Sequence, residues 1–309
     1  MFMCRSVSGD RFRTVHFVCD GACGAPRCSA EKRKRMISVR FLGTGGARFV
    51  VAKQIRASGG MWFRFAPDPG GDPGPTTQIH VDPGPGALVR ATSAVPPCDP
   101  GELDAIALSH KHLDHAGDVN VMIEAMTSGG FRRRGTILAP LDAFEGEAVI
   151  FPYAVKFVAK RETLEEQSGP YCINDVELFT SIKHIHGAQT YGMHFKYRGT
   201  TVSYLPCGKF FEGLAVDYAA HRPDVLIVNV LRYRDSMKVD HMNLEEARAV
   251  FAEVRPKVGV MTHFSTKMLE ARPERLAREL EDDLGLRMFA AYDGWTLDVA
   301  TEVAAASGV

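Results

Sequence analysis

The stretch Ser109-His110-Lys111-His112-Leu113-Asp114-His115 constrains this chain more than any other part of it. It places three imidazoles and a carboxylate within six residues, directly behind an apolar run at 105–109 that reads as a strand. In an extended turn His110 and His112 lie two residues apart and point the same way. Asp114 and His115 then face a second point nearby. Imidazole and carboxylate donors together suit Zn²⁺, Mn²⁺ or Fe²⁺. A solvated polar loop is the alternative, and the density of donors disfavours it.

From Met36 onward apolar runs alternate with turns. Residues 37–42, 61–65 and 78–82 read as strands, with the Pro- and Gly-rich stretch 66–77 as a hairpin loop that cannot be strand interior. Gly43-Thr44-Gly45-Gly46 and Asp82-Pro83-Gly84-Pro85-Gly86 are tight turns. Further strands are expected at 136–139, 176–185, 191–197, 201–205, 225–230 and 258–261, and a strand pair or extended end at 289–297. Helices are expected at 118–127, capped by Asp118, at 243–254, capped by Asn243 with Glu246 three residues on, and at 273–284. Strands dominate the first half and βα units the second.

A chain of 309 residues, 45% of them hydrophobic, can bury one large α/β core or two ordinary ones. No apolar run approaches the roughly 18–20 residues of a membrane helix, so no membrane partner is expected. The 37 Lys+Arg balance 37 Asp+Glu, yet residues 1–35 hold eight basic residues against three acids. The remainder carries 29 basic and 34 acidic residues, which argues against gripping nucleic acid by phosphate neutralisation. Residues 1–35 therefore read as a basic, flexible N-terminal extension, or as sequence upstream of a start at Met36. Cys19, Cys23 and Cys28 there miss the usual zinc spacing. Seven cysteines without paired spacing fit a reducing, cytoplasmic setting. The basic run Arg132-Arg133-Arg134 either faces an anionic substrate or lies on a solvated loop.

His110-x-His112-x-Asp114-His115 behind a strand resembles the metal loop of the metallo-β-lactamase superfamily of binuclear metal hydrolases. Other segments fit in order over nearly all of 36–309, the expected hydrolase domain. Asp82, in Val-Asp-Pro-Gly, matches the acidic residue that steadies the metal loop. His186, with Gly192 six residues on, matches the third ligand motif, and His184 is the alternative if the alignment slips. His263, in Thr-His-Phe-Ser, matches the last ligand motif. Leu42-Gly-Thr-Gly-Gly46 and Asp240-His241-Met-Asn are closest to the phosphodiesterase and tRNase Z branch.

The resemblance implies a four-layer αββα sandwich, two mixed β-sheets flanked by helices, holding two divalent cations and a bridging hydroxide. Zn²⁺ is the expected metal, with Mn²⁺ or Fe²⁺ as alternatives. It implies His110, His112 and His186 for one cation and Asp114, His115 and His263 for the other. Cys207 stands where most relatives carry an aspartate that bridges both metals. A thiolate is soft and favours Zn²⁺, and Cys207 is expected to complete the second site alone. Asp114 and His241 are implied at the reaction, His241 as a proton donor to the leaving group. Asp82 and Asp293 are implied behind the ligands, Asp293 either orienting a ligand histidine or serving as a turn residue. His80 and His194 are expected to be structural.

The expected activity is hydrolysis of a small or cyclic phosphodiester or nucleotide-like substrate, a small anionic molecule. Residues 207–241 contain no long Gly-rich basic arm of the kind tRNase Z uses on tRNA. One alternative, hinted at by Cys207, is hydrolysis of a thioester, lactone or β-lactam on the same scaffold. Another is a non-catalytic metal-binding module. Homodimerisation is left open.

Overall fold

Alternation of apolar and polar residues decides which way each strand faces, and the architecture follows from it. The computed structural model describes residues 37–67, 74–234 and 239–308. The expected extension at 1–35, with its four cysteines, lies outside the described residues. The first sheet contains β1 (Ile37–Phe41), β2 (Met61–Phe65), β3 (Thr77–Val81), β4 (Ala105–Ala107), β5 (Thr136–Pro140) and β6 (Lys160–Leu164). The second contains β7 (Tyr171–Ile173), β8 (Val176–Lys183), β9 (Tyr191–Tyr197), β10 (Thr200–Leu205), β11 (Val225–Asn229), β12 (Val258–Thr262) and β13 (Arg287–Ala290). β14 (Thr296–Asp298) returns to the first sheet beside β1, giving seven strands in each among the described residues.

Both sheets are mixed. β3 to β6 run parallel while β14, β1, β2 and β3 pair antiparallel. β10 to β13 run parallel and β7 to β10 antiparallel. Ile37, Val39 and Phe41 alternate inward with Ser38 and Arg40 on the other face of β1. These inward side chains meet Met193, Phe195 and Ile227 of the facing sheet in one core. Phe63 and Phe195 lie with ring centroids 4.7 Å apart across it. Each such buried aromatic stabilises the sandwich by about 1.5–3 kcal/mol.

The helices are α1 (Ala47–Ala52), α2 (Ala87–Thr92), α3 (Leu113–Ala116), α4 (Val119–Met126), α5 (Leu141–Phe144), α6 (Pro152–Val155), α7 (Leu214–Ala220), α8 (Leu244–Val254), α9 (Thr266–Glu270), α10 (Pro273–Leu284) and α11 (Val299–Ala306). Two outer cores account for the remaining layers. Val119, Met122 and Ile123 of α4 and Ala87 and Ala91 of α2 pack on Ile106 and Ile137 of the first sheet. Val250 and Phe251 of α8 and Leu276 and Leu280 of α10 pack on Leu226, Val228 and Met261 of the second. The result is the expected αββα sandwich. No helix among the described residues is long and apolar enough to cross a membrane.

Three local expectations need correction. Asp118 does not cap α4; its Oδ2 accepts from the Leu88 backbone N–H at 3.1 Å, tying α2 to the metal loop. The run 289–297 is no strand pair, because β13 and β14 belong to different sheets and Asp293-Gly294 carries the chain between them. β8 stops at Lys183, two residues short, where the His184 N–H turns to the Thr190 carbonyl at 2.9 Å. Asn243 does cap α8, in a reciprocal capping box with Glu246. Among the described residues, the helices α1, α2, α3, α5, α6, α7, α9 and α11 and the strands β6 and β7 lie where the sequence pattern gave no expectation.

Candidate metal centre

In each sheet the parallel strands run the same way, and loops at their carboxyl ends converge between the sheets, where open α/β folds place ligands. Asp82 follows β3, His110 follows β4, Cys207 follows β10 and His263 follows β12. The chain leaves β4 extended through His112, which precedes α3 at φ −62 and ψ 146, and Asp114 and His115 then enter the first turn of the helix. Gly84 lets the Pro-Gly turn approach that helix, since a Cβ there would sit 2.0 Å from the Asp114 carbonyl oxygen. Asp82 (φ 54) and His263 (φ 64) both hold left-handed backbone, a strain that surrounding contacts must sustain.

The first group is His110, His112 and His186, whose ligating atoms all lie within 4.8 Å of one another. Hydrogen-bond partners fix which nitrogens are free. His110 Nδ1 contacts Ser109 Oγ at 3.0 Å, leaving Nε2 buried with no partner. His186 Nδ1 donates to the Asp240 carbonyl at 2.9 Å, so its Nε2 presents a lone pair 2.9 Å from His112 Nδ1. Three ring nitrogens thus face one point that holds no protein donor for His110. Burial, then the neighbouring imidazoles, holds His110 well below the usual histidine range and His186 down to about 4, so both are neutral ligands at pH 7.

The second group is Asp114, His115 and His263. Asp114 Oδ2 lies 3.7 Å from His115 Nε2 and 3.6 Å from His263 Nε2. Burial alone would raise the Asp114 carboxyl, but His115 and His263 outweigh it and bring it down to about 2. Asp82 steadies this half. Its oxygens accept from Ser109 N at 2.7 Å, Ser109 Oγ at 2.6 Å, Tyr204 Oη at 3.0 Å and His115 Nδ1 at 3.0 Å. The last bond leaves His115 Nε2 to face the site. In the metal-free fold, burial works against charge on His115, yet Asp114, Cys207 and Asp82 carry it well above the ordinary value.

Cys207 Sγ lies 3.5 Å from His115 Nε2 and 3.3 Å from His263 Nε2. Asn229 Nδ2 donates to the sulfur at 3.5 Å and to Tyr204 Oη at 3.0 Å. His184 is not a ligand: both its nitrogens are engaged, Nδ1 with the Cys207 carbonyl at 3.0 Å and Nε2 with Tyr218 Oη at 3.2 Å. His194 bonds Ser203 Oγ at 2.8 Å, and His80 bonds the Gly59 carbonyl at 2.7 Å, both on strands away from the donors.

His241 sits at the rim, its ring centroid 4.9 Å from that of His186, with a buried Nδ1 lacking a partner. Burial, then His186, lowers it to about 3. Arg232 Nε fixes its backbone by donating to the His241 carbonyl at 2.8 Å. Asp293 touches no ligand histidine. It accepts from Thr44 N at 2.9 Å, Thr44 Oγ1 at 2.7 Å and Ala57 N at 2.8 Å. That loop in turn exchanges backbone bonds with Phe264, so Asp293 supports the neighbour of His263 rather than a ring. Two arginines of the basic run are tethers: Arg133 Nε donates to the Val158 carbonyl and Arg134 to that of Gly101. Sequence reading missed Ser109, Tyr204, Asn229 and Arg232. Only Asn229, a lone polar residue ending an apolar run, carried a visible signal.

A family model described as the β-lactamase superfamily domain matches residues 77–264, more than half of the chain. The chain belongs to the metallo-β-lactamase superfamily. Members of this superfamily are metallo-hydrolases that hold divalent metal ions, and the donors above fit such ions. An uncharacterized protein of Methanocaldococcus jannaschii, MJ1374, is 28% identical over 274 residues, covering 85% of this chain and 95% of that protein. The long form RNase Z from yeast superposes with a TM-score of 0.65 at 17% identity, over 88% of this chain and 43% of that one. A diphosphatase of the PhnP family superposes with a TM-score of 0.57 at 17% identity, over 84% of this chain and 96% of that one. These structural likenesses establish the superfamily fold.

Proposed function

We propose that this chain is a metal-dependent phosphodiesterase, acting on a small or cyclic phosphodiester or nucleotide-like anion with two divalent cations, Zn²⁺ foremost. The observation that carries it is the buried, partnerless Nε2 of His110, aimed with His112 Nδ1 and His186 Nε2 at one point beside the Asp114, His115 and His263 set. Such cations, when bound, supply the Lewis acidity that makes hydroxide available near neutral pH and offsets charge at phosphorus.

The chain's own groups do the remaining work. Asp114, ionised at any working pH, orients the attacking water by accepting its hydrogen bond. His241 donates an N–H to the leaving oxygen, and an anionic substrate beside it raises its proton affinity at that moment. Arg232 and the Asp240 carbonyl hold His241 and His186 in register. Residues 207–241 carry no long Gly-rich basic arm, which favours a small substrate over tRNA.

The test is a substrate panel with Zn²⁺- or Mn²⁺-loaded protein. Turnover of bis-p-nitrophenyl phosphate, lost in His110→Ala and Asp114→Ala, is expected. Cleavage of a thioester, lactone or β-lactam without phosphodiester cleavage would transfer the assignment to that class, for which Cys207 is the one favouring feature. Tight metal binding with no turnover of any substrate would leave a metal-binding module.

A further inference from the structure

The sulfur of Cys207 occupies a place that a ligand of one cation alone does not need. It lies 3.5 Å and 3.3 Å from His115 Nε2 and His263 Nε2, members of the second group. For tetrahedral zinc, bond lengths of about 2.3 Å to sulfur and 2.0–2.1 Å to nitrogen give an S···N edge of about 3.6 Å. Both contacts match that edge. The same sulfur also falls within 4.8 Å of the ligating atoms of His110, with its partnerless buried Nε2, and of His186, both members of the first group. Two donors therefore stand within ligand reach of both groups, Cys207 Sγ and His115 Nε2. The imidazole nitrogen has a single lone pair and binds one cation, whereas a thiolate has more than one to offer.

Its surroundings hold it there. The Cys207 carbonyl is fixed by His184 Nδ1 at 3.0 Å, and Asn229 donates to Sγ at 3.5 Å. That donor suits a thiolate, which accepts, and Asn229 is itself fixed through Tyr204 to Asp82.

We propose that Cys207 Sγ bridges the two cations, making one bond to each, its S–H proton passing to solvent as they bind. This rests on the two-cation reading above. The bridge replaces a hard two-oxygen carboxylate by a single soft atom, so the centre prefers thiophilic ions, Zn²⁺ and Cd²⁺, over Mn²⁺.

The test is cadmium NMR on the full chain loaded with the spin-half cadmium isotope, correlating cysteine β-protons with cadmium through bonds. Two cadmium resonances are expected, both correlated to the same pair of β-protons, with both correlations lost in Cys207→Ser. Correlation to one resonance only, or to neither, overturns the bridge while leaving a two-cation centre standing. Fewer than two bound cadmium ions in the wild type overturns both readings. Amide spectra of Cys207→Ser confirm that the variant is folded. Cys207→Asp provides the second check: it retains two ions, and its Cd²⁺-over-Mn²⁺ affinity ratio falls at least tenfold, whereas an unchanged ratio contradicts the bridge.

Discussion

Replacing Asp82 by Asn tests how the second half of the centre is held. The carboxylate accepts four hydrogen bonds, three of them on Oδ2 from Ser109 Oγ, Tyr204 Oη and His115 Nδ1. An amide keeps one oxygen, for the Ser109 N–H, and turns an NH₂ toward the other three donors. The serine and tyrosine hydroxyls can rotate to accept, but the imidazole cannot. His115 must either leave Nδ1–H unpaired or move its proton to Nε2, the nitrogen that faces Asp114 at 3.7 Å. Loss of such a carboxylate behind a ligand histidine weakens metal binding by about 10- to 100-fold, or about 1.4–2.8 kcal/mol. The larger loss falls on this equivalent, since Asp82 reaches His110 only through Ser109 Oγ and His186 is held by the Asp240 carbonyl. Zinc titration against a chromophoric chelator should resolve one strongly weakened site and one much less affected. Equal weakening of both equivalents, or none, would refute the tautomer argument.

Further outcomes follow from buried groups away from the donors. His80 is fully buried, and desolvation lowers it to about 4 against an unfolded value of 6.5. Between those values the unfolded chain binds more protons, so stability present above pH 6.5 is lost as pH falls toward 4, by about 3 kcal/mol. Urea titrations from pH 7 to 4 should show His80→Gln losing that much less than wild type. Gly192→Ala would place a Cβ 1.6 Å from Tyr218 Oη, an overpacking worth about 1–3 kcal/mol. Denaturant unfolding should show Tyr218→Phe recovering part of that loss in the double variant. Asn243→Ala breaks the capping box of α8 and should cost about 1 kcal/mol in the same assay, with metal stoichiometry unchanged.

The sequence-level reading reached far where chemistry and periodicity coincide. His110 to His115 announced themselves because a metal loop needs dense donors, and the strands flanking them because their inward faces are uniformly apolar. His186 was separable from His184 only through the resemblance. In space the difference is plain, since His184 sits between the Cys207 carbonyl and Tyr218. Asp293 could not be read, because its three donors come from residues 236 to 249 positions earlier in the chain. Tyr204 gave no sign either: a strand tyrosine looks alike whether its hydroxyl meets water or Asp82. Asp118 misled because a polar residue before an apolar run is also a good acceptor for a neighbouring helix. The divided run at 289–297 shows the same blindness, as local apolarity does not say which of two sheets a strand joins.

The most direct measurement is phosphodiester turnover followed against bound-metal equivalents in chelator-stripped protein. Activity toward bis-p-nitrophenyl phosphate should be absent without metal, rise chiefly with the second equivalent of Zn²⁺ and disappear again in His263→Ala. Turnover by the stripped protein at the rate of the loaded one would contradict the account.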